Sequence, residues 1–162
     1  MRPFLAQSLA APLGALLPAL IQDPRFHDVR LQVEGTDKKS AVTAPMREDG
    51  IEAEYLLSEG QLAGVSMALL LAMATTFRWS NWPALLLDDP GQNNDLIHVA
   101  NLIEVLRTLV AKSGFQVVLS THDSELAEFM VRKFRNARIA GETLRFRGPD
   151  PAVGVIPAVI PW

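Results

Sequence analysis

Three short groups of residues have the types and spacing to do chemistry. The first is the adjacent pair Asp88-Asp89, reached by the apolar run Ala84-Leu85-Leu86-Leu87 and followed by a third acid at Asp95. A run of that kind reads as a strand buried on both faces, as in a parallel sheet, and the carboxyl ends of such strands are where open α/β sheets place ligands. Two carboxylates there are costly unless a cation or hydrogen-bond donors meet them. Mg²⁺ suits the place, since it takes one or two carboxylates, keeps waters and shares phosphate oxygens. The plainer alternative is an aspartate that caps the next helix. The second group is Thr121-His122-Asp123, at the end of another apolar run from Phe115 to Ser120. The third, Ser58-Glu59-Gly60-Gln61, opens a long apolar stretch. Ser58 and Gln61 have the spacing of a capping box. The same helix start, with free amides, a hydroxyl and a glycine, also makes a phosphate cradle. Glu59 fits that cradle poorly and suits the helix dipole better.

The elements that must position these groups follow from patterning. Residues 62–77 predict a helix apolar almost all round, hence deeply buried. Val99, Leu102, Ile103, Leu106, Leu109 and Val110 recur at helical spacing and mark an amphipathic helix ended by Ser113-Gly114. Strand, helix and strand in that order make a crossover, so the strands at 84–88 and 115–120 are parallel and share one carboxyl edge. Asp88, Asp89 and His122 therefore converge on one rim. A further helix over about 124–135 buries Leu126, Phe129, Met130 and Phe134. Upstream, residues 4–22 are apolar but interrupted by prolines, which predicts one or two short helices. Val29–Gly35 alternates as a half-exposed strand, turns through residues 36–39 and returns over Ser40–Ala44. Residues 45–55 read as loop, and Trp79 and Trp82 as core packing. Arg138–Ala140 and Thr143–Phe146 predict a pair of edge strands around Gly141. The tail from Gly148 to Trp162, with four prolines, is extended and lies against another surface.

Composition bounds the functions available. The 162 residues suit one domain or one lobe, and their 49% apolar and 20% charged content is globular. A net charge of −3 gives the whole chain no general attraction for nucleic acid. Six of its fifteen basic residues nonetheless fall late, among them Arg132, Lys133 and Arg135, a solvated face or a DNA-backbone patch. The absence of cysteine excludes disulfides, zinc–thiolate sites and thiol catalysis, and fits a cytoplasmic setting. No apolar run reaches membrane-spanning length, so no membrane partner is expected. Met1–Ile21 faintly resembles a secretion signal, but Pro12 and Pro18 interrupt it.

Taken together the groups resemble a known family. Leu57-Ser58-Glu59-Gly60-Gln61 resembles the ABC signature motif Leu-Ser-Gly-Gly-Gln with one glycine changed, and Leu85–Pro90 resembles a Walker B strand. Asp95 stands at the D-loop position, and Val118–Asp123 resembles the switch-histidine segment. Four motifs in this order are a strong signal where one alone is weak. They are those of the C-terminal lobe of an ABC-type ATPase head, a P-loop NTPase-like α/β fold with parallel strands, flanking helices and small antiparallel edge strands. Asp-Asp-Pro and Ser-Thr-His-Asp lean toward the structural-maintenance-of-chromosomes (SMC) and RecF-like branch. The resemblance covers about residues 25–147, between a helical lead-in over 1–24 and the proline-rich tail over 148–162. It implies ATP as substrate with Mg²⁺ held through Asp88, and Asp89, where most members have Glu, polarising the attacking water. It also implies His122 at the γ-phosphate, Ser58, Gly60 and Gln61 touching ATP on a second head, and Asp95 between the heads.

One expected part is absent from these 162 residues: the phosphate-gripping Gly-x-x-x-x-Gly-Lys-Ser/Thr loop, Walker A. No obvious Q-loop and no heptad repeat is present either. The expected partner is thus a second head or an N-terminal lobe carrying Walker A, with DNA as a further candidate. The resulting expectation is a DNA-associated ATPase of repair, chromosome maintenance or phage defence, cytoplasmic or nucleoid-associated. The alternatives are an ABC transporter ATPase fragment and a non-hydrolysing module that lends its signature face to a partner's ATP.

Overall fold

The computed structural model describes residues 2–24, 32–36, 39–43, 57–77, 80–92, 95–146 and 157–162, with 2–6, 32–36 and 39–43 described as backbone only. In chain order the elements are α1 (Arg2–Leu20), β1 (Gln32–Thr36), β2 (Lys39–Thr43), α2 (Glu59–Thr76), β3 (Ala84–Asp88), α3 (Leu96–Ser113), β4 (Gln116–Ser120), α4 (Ser124–Asn136), β5 (Glu142–Phe146) and β6 (Pro157–Pro161). The strands form three pairs. β1–β2 and β5–β6 are antiparallel, and β3–β4 is parallel.

Two helices and a strand close the core around α1. Leu9, Leu13 and Leu17 form an i, i+4 stripe, extended by Leu20 and Ile21, and it meets Val65, Ala68, Leu71 and Ala72 of α2. Leu102, Leu106 and Leu109 of α3 and Leu85 and Leu87 of β3 complete the cluster. The prolines do not split α1 as expected; it runs unbroken through Pro12 and Pro18. Each interior proline costs about 3 kcal/mol, whereas each buried Leu or Ile contributes about 1.5–3 kcal/mol. Five such side chains outweigh two prolines.

Three burial expectations need correction. The helix α2 is apolar on most sides but buries only the face of Val65, Ala68, Leu71 and Ala72, with Leu62 and Leu70 exposed. Strands β3 and β4 are covered on one face only: Leu85 and Leu87 point into the core, while Leu86 is 71% exposed and Val118 lies open beside it. Parallel sheets occur with both faces covered, so this pair presents an apolar face that nothing among the described residues covers. On α4, Leu126, Phe129, Met130 and Phe134 are half-buried rather than buried.

The ends of the chain also differ from expectation in detail. The first strand pair runs from Gln32↔Thr43 to Thr36↔Lys39, so Thr36 and Lys39, expected in the turn, belong to the strands. The expected strand residues 29–31 and Ala44, the loop at 45–55 and Trp79 lie outside the described residues. Trp82 is not core but exposed, its indole Nε1 donating to Gln116 Oε1 at 2.8 Å. Residues 138–140 form no strand, since Arg138 has φ 57° and bends the chain away. The partner of β5 is instead the tail strand β6, with Leu144↔Val159 at its centre. Gly141 permits this seat: a Cβ there would run into the Trp162 indole, whose Nε1 donates to the Ile139 carbonyl at 3.1 Å.

Candidate functional site

The parallel register of β3 and β4 places Asp88 opposite Ser120. Every residue after those two leaves the sheet at the same edge, which is why chemistry collects there. The Ser120 hydroxyl donates to Asp88 Oδ1. The backbone N–H of Asp89 donates to Ser120, reaching its carbonyl at 3.1 Å and its Oγ at 3.2 Å. The two carboxylates then part: Asp88 is exposed, and Asp89 turns inward to 20% side-chain exposure.

Asp89 is held at both oxygens. The Thr121 hydroxyl donates to Oδ1 at 3.1 Å, and His122 Nδ1 lies 2.6 Å from Oδ2. A carboxylate only accepts, so that contact needs a proton on Nδ1. The imidazole is otherwise open to solvent, with 79% of its side chain exposed. Asp89 also has φ 41°, a region that non-glycine residues enter rarely. This kink sends the chain into a turn closed by Gln92 N–H on the Asp89 carbonyl at 3.0 Å. Gly91 lets α4 approach the turn, since a Cβ there would meet Leu126 Cδ2 at 2.7 Å.

Helix capping, the plainer explanation for these acids, falls to others. Asp95 Oδ1 caps α3 by accepting from the N–H groups of Ile97 at 3.0 Å and His98 at 2.9 Å, with His98 Nδ1 at 2.8 Å. Asp123 caps α4 through Glu125 and Leu126. The backbone N–H of His98, then its ring, holds the Asp95 carboxyl below its ordinary value of 3.8. A depressed carboxylate contributes stability above its unfolded pKa and loses it as pH falls through the folded value. The Ile97 and His98 amide resonances are therefore expected to titrate with a midpoint below 3.8; a midpoint above it would contradict the cap.

At the start of α2 the capping box is complete. Ser58 N–H donates to Gln61 Oε1 at 3.0 Å, and Gln61 N–H donates to Ser58 Oγ at 3.3 Å. Ser58 is exposed and Gly60 half-buried, so the cap lies at the surface. It is not bonded into the aspartate cluster. Between α2 and the rim lies an open cleft of about 330 Å³, walled by Ala63, Gly64 and Ser66 on one side and by Asp89, Gln92 and His98 on the other; Ser58, Gly60 and Gln61 do not line it.

The basic residues of α4 differ in what they touch. Lys133 Nζ pairs with Glu104 Oε1 at 3.2 Å, and Glu104 also holds Arg107 at 2.6 Å. The Arg107 hydrogen bond, helped by Lys133, keeps the Glu104 carboxyl below its ordinary range. Arg132 and Arg135 are exposed one helical turn apart, with Arg132 lying over the Phe129 ring.

Neither Ser120 nor Thr121 takes a role of its own from the sequence, although a signal exists. Aligning the two apolar runs as parallel strands sets Ser120 beside Asp88 and Thr121 beside Asp89. Hard oxygen donors, Asp88 with the Ser120 hydroxyl, suit Mg²⁺. Among the described residues no cluster of three or more His, Cys, Asp or Glu could hold a metal ion, so a cation here would draw on phosphate and water oxygens.

No family model matches the chain. Over 71 residues, 44% of its length, the chain is 45% identical to a Streptomyces avermitilis protein named as an ABC transporter ATP-binding protein, and it spans 11% of that relative. The fold is similar to that of an SMC ATPase whose dimerisation is ATP-driven and whose activation is DNA-stimulated, with TM-score 0.61, 16% identity, all of this chain and 86% of that one covered. It is also similar to an SMC head bound to the C-winged-helix domain of ScpA, with TM-score 0.57, 14% identity, 97% of this chain and 43% of that one covered. Among the described residues no helix is long and apolar enough to cross a membrane. The parallel β3–β4 pair, its flanking helices and these two likenesses give this chain the fold of an SMC ATPase head.

Proposed function

We propose that this chain is the C-terminal lobe of an ABC-type ATPase head, with residues 25–147 as the lobe proper, and that it supplies half of an ATP–Mg²⁺ site shared between two heads. The observation that carries the reading is the joint rim of β3 and β4, where His122, from the end of one strand, meets the Asp88-Asp89 pair at the end of the other. The Walker A loop comes from an N-terminal lobe or another chain. The open apolar face at Leu86 and Val118 supports such a neighbour.

In this reading Asp88, oriented by Ser120, would hold Mg²⁺, which would supply charge to neutralise and orient the phosphates. Asp89 fixes the attacking water and takes its proton. Its side chain is one methylene shorter than the glutamate common at this position. His122, exposed and able to swing, donates to a γ-phosphate oxygen. Phosphoryl transfer of this kind depends mainly on positioning and charge stabilisation. Ser58, Gly60 and Gln61 meet the γ-phosphate of ATP held by the opposite head, through the outward N–H groups and hydroxyl of the α2 start. Asp95, beside the exposed Leu96 and Ile97, lies between the heads.

The test is ATP hydrolysis by the chain alone and with a lobe that carries the phosphate loop. Background rates alone and turnover when completed are expected; robust turnover by the isolated chain would overturn the reading. We further place the complex on DNA, in repair, chromosome maintenance or phage defence, with Arg132 and Arg135 as backbone contacts and Lys133 a weaker one because of Glu104. Neutralising both arginines is expected to lower the salt slope of DNA binding by about 1–2. An unchanged slope removes α4 from the DNA surface. The name of the Streptomyces relative favours a second reading, a transporter ATPase subunit; DNA-stimulated turnover would decide against it.

A further inference from the structure

The substitution of aspartate for glutamate at position 89 looks at first like damage to a catalytic base. The surrounding geometry says otherwise. Three separate features grip this residue, and two of them, the contact at Oδ1 and the backbone angle, suit a short side chain. Its N–H is tied to Ser120 at the end of β4. Its Oδ1 receives the Thr121 hydroxyl at 3.1 Å, while the same Thr121 Oγ1 accepts from the Asp123 N–H at 3.1 Å and is thereby fixed against the start of α4. Its backbone sits at φ 41°, a region that aspartate and asparagine visit more readily than longer side chains do. A glutamate there would carry its carboxylate one bond past the hydroxyl that waits for it.

We propose that Thr121 is a positioning residue for Asp89, and that the rim is built for aspartate as the water-orienting acid. This rests on the ATPase reading above. Thr121 touches neither water nor nucleotide in this account. It holds one carboxylate oxygen so that the other, released when His122 turns to the γ-phosphate, faces the attacking water in one orientation. A proximity effect of this kind is steep, since misplacing a reacting group by about 1 Å can cost 10²-fold.

Two measurements test it. In the full chain, the carboxyl ¹³C resonance of Asp89 is expected to move in Thr121→Val and to return in Thr121→Ser, with the remaining spectrum showing the fold intact. In the completed head, Thr121→Val is expected to lower kcat about tenfold at unchanged KM, Thr121→Ser to restore it to within about twofold, and Asp89→Glu to run at least about tenfold slower than the native protein. An unmoved Asp89 resonance, an unchanged kcat in Thr121→Val, or an Asp89→Glu faster than native overturns the proposal while the ATPase reading stands. A native completed head with no turnover at all instead overturns the ATPase reading, and the positioning role with it.

Discussion

Replacing Asp89 by asparagine is expected to cut ATP turnover of the completed head by about 10²-fold or more while leaving ATP-dependent association of the heads in place. The amide keeps the size of the carboxylate and can still accept from Thr121, so the turn at Asp89–Gln92 and the β3–β4 edge should survive. What it removes is the proton acceptor. General base catalysis by a positioned carboxylate is worth about 10²–10⁴-fold, which sets the size of the loss. Binding energy for the nucleotide comes from other groups, so KM and association should change little. Steady-state ATPase rates alongside light scattering of the ATP-bound complex would separate the two effects. A loss of association together with turnover would mean that Asp89 supports the fold rather than the chemistry.

The second large effect is on stability. Leu106 is fully buried in α3, in the cluster that α3 shares with α1, α2 and β3. Leu106→Ala is expected to destabilise the chain by about 2–5 kcal/mol, from lost transfer energy and the cavity left behind. α3 starts at the Asp95 cap and links the turn after β3 to β4. A cavity in its middle therefore loosens both ends of the site. Urea unfolding at unchanged m-value measures this directly. A loss under about 1 kcal/mol would mean that the cluster collapses around the gap and that α3 is not clamped as the burial implies.

How much of this was legible beforehand depends on what each residue answers to. Elements set by local chemistry read well. Ser58 and Gln61 form the box their spacing announced, Gly114 takes the left-handed C-cap of α3 at φ 67°, and five of the six apolar positions named for α3 are buried, with Val110 half-buried. The parallel pairing of β3 with β4 followed from the helix between them. Elements set by partners read poorly. An apolar run shows what favours burial, not whether a cover lies in the same chain, so Leu86, Val118 and Leu70 were expected inside and are outside. Proline content argued against one long α1, because the sequence does not show how much leucine that helix buries. The partner of β5 was sought next to it at 138–140, but Gly141 had left room for the distant Trp162. At the site itself, the acids and the imidazole stood out by type. The roles of Ser120 and Thr121 did not, because hydroxyls are common and only the strand register sets them against the carboxylates.

The central claim is that the β3–β4 rim and the α2 start face the same triphosphate from opposite heads. Photolabelling the completed complex with an ATP analogue reactive at its γ-phosphate, followed by peptide mapping, tests that most directly. The account predicts label on the peptide holding Ser120–Asp123 and, dependent on head association, on that holding Ser58–Gln61. Label on the phosphate-loop lobe with neither of these peptides marked would contradict it.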